Sequence, residues 1–385
     1  MTLALPRGFR AHVTNVGVKD LTDDFTIVAA DAPCAAAGVF TQSSFAGPSV
    51  LVSRRHVAHG TARAMVVISK NANVATGAQG LSDAEEVVAG VAVALGCASH
   101  EVLIASTGVI GRTYPMDRIR AGLAAIPTPL PGSDAAAVAR GIMTTDTVAK
   151  TATASVGAAT VVGVAKGVGM IEPNMATMIA MVFTDATLDS PTLDTVFRRV
   201  VDRTFNCVSV DTDTSTSDTA IILASGAAGP VDLAAFEDAL FSVCVSLTKQ
   251  IARDGEGAET LVEVVVDQAA SLEQAKRVAK AIVNSPLVKT AVHGADPNWG
   301  RVAMAVGKST TDDEVDQTRV VIRFGDMEVY PAPLGEADLE ALAAYMRGTD
   351  VLIHVSLATG GSATATVWGC DLTDGYVRIN ADYTT

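Results

Sequence analysis

Residues 166–178 read KGVGMIEPNMATM, and how this stretch is read decides how the chain folds. Before it runs ATVVGVA (159–165) and after it MIAMVFTDA (178–186), two apolar segments short enough to be buried strands. Between them Gly167 and Gly169 loosen the backbone, and Pro173-Asn174 marks a turn. Read locally, the stretch is a strand entered through a turn. Read chemically, Thr177 stands out. An internal threonine hydroxyl is a poor nucleophile, but scission of the bond before it gives Thr177 a free α-amine whose ordinary pKa is near neutrality. That amine can take the proton of its own hydroxyl, so one residue is both nucleophile and base. The small Ala176 leaves room for the hydroxyl to attack its carbonyl, and the glycines let the loop hold strain that scission releases. Most Ala-Thr pairs do nothing of the kind, so both readings stand at this point.

Outward from this stretch, strands and helices alternate. FTIVAADAPCAAAGVFT (25–41) reads as two strands joined by a small-residue turn, and ARAMVVISKNANVATG (62–77) as a strand running into a polar loop. SDAEEVVAGVAVALG (82–96) reads as a helix capped by Ser82 and Asp83 and closed by Gly96. VLIASTGVIG (102–111) is a buried strand ending in a Thr-Gly turn, and PTPLPGSDA (127–135) a connection into the helix AAAVARGIM (135–143). Downstream, helices are expected over 190–205, 235–253 and 271–285, and a strand over 261–269. The end, 364–385, reads as strand, Asp-Gly turn, strand. The mixture predicts an α/β fold in layers. No repeat, low-complexity segment or composition break marks a linker.

Composition narrows the function. Hydrophobic residues make up 49% and charged residues 18%, with only 4% aromatic, so a sizeable core is built from Ala, Val, Ile and Leu. A net charge of −14 without a dense Lys/Arg run argues against nucleic-acid binding. Cys34, Cys97, Cys207, Cys244 and Cys370 are scattered and form no C-x-x-C pair, as expected of reduced thiols in a cytoplasmic protein. The start, MTLALPRGFRAH, does not read as a signal peptide, and no apolar stretch is long enough to span a bilayer.

The motif search is mostly negative. AVGKST (305–310) has the wrong glycine spacing for a phosphate loop. GVGM lacks a full dinucleotide fingerprint, the histidines form no zinc-hydrolase pattern, and no G-x-S-x-G elbow is present. No metal and no cofactor is expected. Asp211, Asp213 and Asp218 in DTDTSTSDT (211–219) read as a turn whose side chains bond local amides. Glu256, between two glycines in DGEGAETL, is either a solvated turn residue or a substrate ligand. Thr107 and Gly108 end a buried strand, where a hydroxyl and an amide can face a developing oxyanion or simply close a turn.

Taken with these segments, KGVGMIEPNMATM resembles the signature of the ornithine acetyltransferase (glutamate N-acetyltransferase) family, K-G-[SV]-G-M-[IL]-x-P-[ND]-M-A-T. SKNANVATG, ASTGVIG, IMTTDT, DTSTSDT, DGEGA, IVNSPLVKTAVHGADPNWGR and YVRINADYTT extend the resemblance over nearly the whole chain. The resemblance implies an N-terminal-nucleophile-type α/β architecture, distinct in topology from the N-terminal-nucleophile hydrolases. It implies self-cleavage between Ala176 and Thr177 into an α chain, 1–176, and a β chain, 177–385, assembled at least as an α2β2 heterotetramer. Thr177 is then the acyl-accepting nucleophile, and Thr107 and Gly108 are the oxyanion-hole pair. Thr144, Lys166, Thr177, Glu256, Asn380 and Thr385 are the substrate-binding positions. The implied reaction moves the acetyl group of N2-acetyl-L-ornithine to L-glutamate by a ping-pong route, with acetyl-CoA as a further possible donor. A self-processing amidase or aminopeptidase, and a non-catalytic binder of basic amino acids, are the competing readings. Glu172 stands where many relatives have Ala, and Thr212 and Ser217 also depart from the common pattern. In these departures the chain resembles copies associated with clavulanic-acid-type gene clusters, which leaves arginine biosynthesis and secondary metabolism both open. The sequence gives Glu172 itself no role.

Overall fold

The computed structural model describes residues 3–172, 178–332 and 334–382. Two mixed sheets with helices packed on them form the layered α/β fold that the alternation predicts. The larger, eight-stranded sheet holds β1 (Phe9–Thr14), β2 (Phe25–Phe40), β3 (Thr61–Ile68), β4 (Val102–Ser106), β5 (Lys150–Val156), β6 (Ala159–Lys166), β7 (Ile179–Thr187) and β8 (Thr219–Pro230). Its order is β4-β3-β2-β8-β7-β6-β5, with β1 paired to β2. The smaller, five-stranded sheet runs β11 (Met327–Tyr330), β10 (Val321–Phe324), β12 (Asp350–Ser356), β9 (Leu261–Ala269), β13 (Ala363–Cys370).

Helices α1 (Pro48–Val57), α2 (Gly77–Leu95) and α3 (Met116–Ala124) cover the β3–β4 edge, and α4 (Ala135–Gly141) packs against β1 and β6. On the opposite face lie α5 (Ser190–Arg203) and α6 (Leu233–Arg253), and α6 also touches β9 and β13, joining the two sheets into one core. Helices α7 (Leu272–Val283), α8 (Pro286–His293) and α9 (Trp299–Ser309) continue along the small sheet, followed by α10 (Glu336–Met346) and α11 (Asp374–Asp382).

The central strands explain why the middle of the chain reads as continuous apolar text. In β7, Ile179, Met181 and Phe183 enter the core on the α4 side, while Ala180 and Val182 enter the core shared with α5 and α6. A strand buried on both faces needs no polar alternation. α2 ends as expected, with Gly96 in the left-handed region at φ 63°. α9 takes in Ala305–Ser309 and Thr310 is its C-cap, so AVGKST is a helix end and not a phosphate loop.

Three expectations are corrected. Residues 25–40 form one strand, not two, because the small-residue stretch is a bulge: Ala29 pairs with Ala64, yet Cys34 already pairs with Ala62. Pro33, which has no amide to donate, sits in that bulge, and beyond it β2 takes β8 as its second partner. α2 begins at Gly77, so Ser82 and Asp83 lie inside the helix; Asp83 is buried and accepts from Gln79 Nε2 at 2.7 Å. The last segment is a helix, α11, rather than a strand. Thr373 Oγ1 accepts the Gly375 amide at 3.0 Å and donates to the Gly257 carbonyl at 2.6 Å, which turns the chain into a helical start. The β-branched Val377 and Ile379 that suggested a strand stay exposed.

Candidate active site

A cleft of about 250 Å³ opens where the ends of β4 and β6 meet the loop before β8, the loop after α6, and α11. Thr107, Gly108, Thr144, Lys166, Glu256 and Asn380 all line it. Those six residues span more than 270 positions of sequence, and the fold brings every one of them to one concavity. The remaining expected site residues, Ala176, Thr177 and Thr385, lie outside the described residues.

Strand ends supply one wall. Gly108 adopts φ +124°, and a Cβ there would stand 2.3 Å from the Lys70 carbonyl carbon, so only glycine fits. Lys70 itself holds a left-handed φ of 73°, and Met170 one of 55°. Strained backbone of this kind persists where the surroundings over-determine it, and it concentrates at functional sites. Lys166, buried at the end of β6, donates from Nζ to Thr107 Oγ1 at 3.2 Å. In the sheet Lys166 pairs with Ile179, so the chain re-enters the described structure beside it.

The other wall is α11. Tyr376 and Asn380, one turn apart, both face the cleft. Asn380 Nδ2 donates to Glu256 Oε2 at 2.8 Å, and Thr145 Oγ1 donates to Glu256 Oε1 at 3.1 Å. Gly169 approaches so closely that a Cβ would meet the Glu256 carboxylate at 2.4 Å. Both carboxylate oxygens are thus aimed by named donors. Tyr376 Oη lies 3.4 Å from Asp211 Oδ2, and burial together with Asp211 pushes the phenol up to about 12.

Behind the cleft lies a charge network that sequence reading missed. Lys150 Nζ sits 2.7 Å from Asp146 Oδ1 and 2.5 Å from Asp254 Oδ2, with Lys150 and Asp146 at zero side-chain exposure. Asp146 also accepts the amides of Gly167 (2.7 Å) and Thr144 (3.1 Å). Burial pushes its carboxyl up, but Lys166, Lys150 and these hydrogen bonds outweigh that and hold it below the ordinary range. For Lys166 burial dominates: its ammonium is held below the ordinary lysine range although Asp146, Glu256 and Asp218 pull the other way. The only sequence signal for this network was the close spacing of Asp146 and Lys150 in TTDTVAK.

The 211–219 loop is more than a local turn. Asp211 accepts the amides of Met170 (2.6 Å) and Ile171 (2.7 Å) as well as that of Asp213, and Asp213, Ser215, Thr216 and Ser217 line the cleft with it. Glu172 acquires partners here. Its Oε2 accepts from Ser209 Oγ at 3.1 Å and from Asn284 Nδ2, and its Oε1 lies 3.4 Å from Lys280 Nζ. Its amide donates to Asp213 O at 2.9 Å, which docks residue 172 on the 209–214 segment. Away from the cleft, Asp371 is buried, accepts the amides of Glu259 and Thr260, and lies 3.2 Å from His293 Nδ1.

Comparison with known proteins defines the class first: the chain is an acyltransferase. Residues 10–385 match the ArgJ family. The arginine biosynthesis bifunctional protein ArgJ 2 of Nostoc sp. is 57% identical over 380 residues, covering 99% of this chain and 98% of that one. The glutamate N-acetyltransferase Oat2 of Streptomyces clavuligerus is 55% identical over 387 residues, covering 99% and 98%. A crystal structure of the arginine biosynthesis bifunctional protein ArgJ from Bacillus halodurans matches with a TM-score of 0.48 at 43% identity, covering 52% of this chain and 96% of that one. The chain belongs to the ArgJ family.

Proposed function

We propose that the chain is a self-processing acetyltransferase of arginine biosynthesis that carries the acetyl group of N2-acetyl-L-ornithine to L-glutamate on Thr177. The observation that carries this reading is the gathering of Thr107, Gly108, Thr144, Lys166, Glu256 and Asn380 around one cleft in a member of the ArgJ family. Thr177 is assigned from the sequence signature, supported by the pairing of Ile179 with the cleft residue Lys166.

Scission between Ala176 and Thr177 divides the chain into 1–176 and 177–385 and frees the Thr177 amine. The amine takes the proton of the Thr177 hydroxyl as the hydroxyl attacks the acetyl carbonyl of N-acetylornithine. The Gly108 amide and Thr107 hydroxyl hold the oxyanion of the tetrahedral intermediate. The Thr177 ammonium returns that proton to the ornithine nitrogen as the C–N bond breaks, so ornithine leaves as an amine and the acetyl group stays on Thr177 Oγ1; the glutamate amine then attacks the same carbonyl, its proton passes through the Thr177 amine to Oγ1, and the C–O bond to Thr177 breaks to release N-acetyl-L-glutamate. Glu256 meets an ammonium and Lys166 a carboxylate, while Asn380 and Thr385 close over the amino-acid end. We assign an α2β2 assembly and a cytoplasmic location. The five cysteines, free and with burial raising the Cys34, Cys97, Cys207, Cys244 and Cys370 thiols, fit a reducing compartment. No helix among the described residues is long and apolar enough to cross a membrane.

Denaturing electrophoresis with N-terminal sequencing tests the scission: two bands are expected, the second starting at Thr177. Intact-mass spectrometry after mixing with N-acetylornithine should show one acetyl group on the 177–385 chain. Thr177→Ala should abolish scission and transfer together, and a single uncut chain with full activity would sink the mechanism. Replacing glutamate by water, or N-acetylornithine by acetyl-CoA, in the same assay separates transferase from amidase and one donor from two.

A further inference from the structure

We infer that Glu172 is a positioning residue for the self-processing step: its carboxylate fastens the chain that enters the Ala176–Thr177 bond to residues that lie beyond the cut, and so sets how readily Thr177 attacks. The inference rests on the scission proposed above.

Glu172 is not among the residues that line the cleft, yet both of its carboxylate oxygens are anchored. Oε2 accepts from Ser209 Oγ at 3.1 Å and from Asn284 Nδ2, and Oε1 stands 3.4 Å from Lys280 Nζ. Lys280 lies in the last turn of α7 and Asn284 is its C-cap, so the carboxylate ties the chain to a helix end. The main chain is held beside it. Asp211 accepts the amides of Met170 and Ile171, and the Val210 amide donates to Ile171 O at 2.7 Å. Thr214 Oγ1 donates to the Glu172 carbonyl at 3.1 Å. Downstream of the bond, Met178 O accepts the Thr219 amide at 3.0 Å, and Ile179 pairs with Lys166. Both described flanks of the cut are therefore fixed. The backbone contacts are open to any residue at position 172, whereas the bonds to Ser209, Lys280 and Asn284 need its carboxylate.

In the scission, Thr177 Oγ1 bonds to the Ala176 carbonyl carbon, the C–N bond to Thr177 breaks, and the hydroxyl proton ends on the Thr177 nitrogen. Water then cleaves the resulting ester, leaving the Ala176 carboxyl and the Thr177 hydroxyl. The first step is intramolecular, so its rate depends on how well oxygen and carbonyl are held in attack geometry. Acetyl transfer makes no such demand on residue 172. Once cut, Thr177 acts from a chain start, and the substrate is placed by the cleft. Glu172 should therefore act on scission and leave transfer alone.

The measurement is cell-free translation of the full chain, with the uncut precursor followed by denaturing electrophoresis, and steady-state transfer on the fully cut protein. Glu172→Ala should lengthen the precursor half-life by about 10- to 100-fold, with kcat and KM of the cut protein unchanged. Glu172→Gln keeps an acceptor oxygen for Ser209 and Asn284 and should restore most of the rate. Asn284→Ala should also slow scission, and adding it to E172A should slow it little further, since the two share one contact. A precursor half-life in E172A equal to that of wild type overturns the inference. So does a loss of kcat in cut E172A as large as the loss of scission rate, which is what a general disturbance of the fold produces. If E172A does not fold, N284A decides by the same two readings. A wild-type chain that stays whole defeats the self-processing reading itself, whereas wild type and E172A cut equally fast defeat only the role of Glu172.

Discussion

The two walls of the cleft are built by opposite means. The wall of strand ends is rigid: Gly108 has no room for a Cβ, Lys166 is buried, and the charges behind them are sealed from water. The wall supplied by α11 buries none of its residues and touches the cleft through Tyr376 and Asn380. The difference matters for what each wall can contribute. A preorganised dipole holds its strength in a dry, fixed setting, which suits stabilisation of a developing oxyanion. An exposed helix held by a few polar contacts opens at low cost, which suits binding and release of substrate.

Breaking the buried network is expected to have the largest effect. Lys150→Met leaves Asp146 and Asp254 facing each other without their cation, a change that typically costs about 3–5 kcal/mol for a buried pair. Urea unfolding should report it as a lower midpoint with an unchanged slope. The pH dependence has a definite sign. The Asp146 carboxyl is held below its ordinary range in the folded protein, so its contribution is complete above the unfolded aspartate value of about 3.9 and is lost as pH falls through the lower, folded value. Removing Lys150 should flatten that acid-side slope. A K150M protein as stable as wild type would show that the rigid wall does not depend on its charges.

Gly108→Ala comes next and acts on chemistry. The added methyl must push the Lys70 backbone or rotate the Gly108 amide away from the cleft. Loss of one oxyanion donor lowers kcat by about 10²–10³, read as steady-state transfer on protein that has already been cut. Activity within tenfold of wild type would remove the amide from the mechanism.

How much of this was legible beforehand divides along the same line. Thr107, Gly108 and Glu256 could be singled out because strand ends and glycine loops leave marks in short stretches of sequence, whereas Thr144, Lys166 and Asn380 came only from the resemblance to the family. The strands and helices of the core followed from periodicity, since burial on one or both faces dictates it. Asp146, Lys150 and Asp254 were not legible as a unit: a buried ion network is assembled by the fold from segments about a hundred residues apart. Glu172 was likewise mute, because Ser209, Asn284 and Lys280 reach it only in three dimensions. α11 was misread for a different reason. Its Tyr, Val and Ile carry strand propensity, and the deciding interaction is the bond from Thr373 to the distant Gly257 carbonyl.

Asn380→Ala tests the open wall with a smaller expected effect. It removes one hydrogen bond to Glu256 at an exposed position, about 1 kcal/mol, and leaves the rest of the site standing. KM for the amino-acid substrate should rise several-fold with kcat nearly constant. If kcat falls instead, α11 takes part in the chemistry and the contrast between the walls fails.

The smallest effect expected is that of Arg378→Ala, and its value lies in what it decides about α11. In the helix, Arg378 pairs with Asp374 at 2.7 Å across one turn, with both side chains more than 70% exposed. Such pairs contribute a few tenths of a kcal/mol. Loss of Arg378 should therefore leave stability and both kinetic constants within experimental error at physiological salt, and slightly fray the helix at low salt, visible as faster amide exchange over 374–382. A strand makes a different forecast. There Tyr376, Arg378 and Asn380 alternate onto one face, so truncating Arg378 beside two cleft residues would raise KM as Asn380→Ala does. A silent R378A next to a KM-shifted N380A is the pattern that a helix produces and a strand cannot.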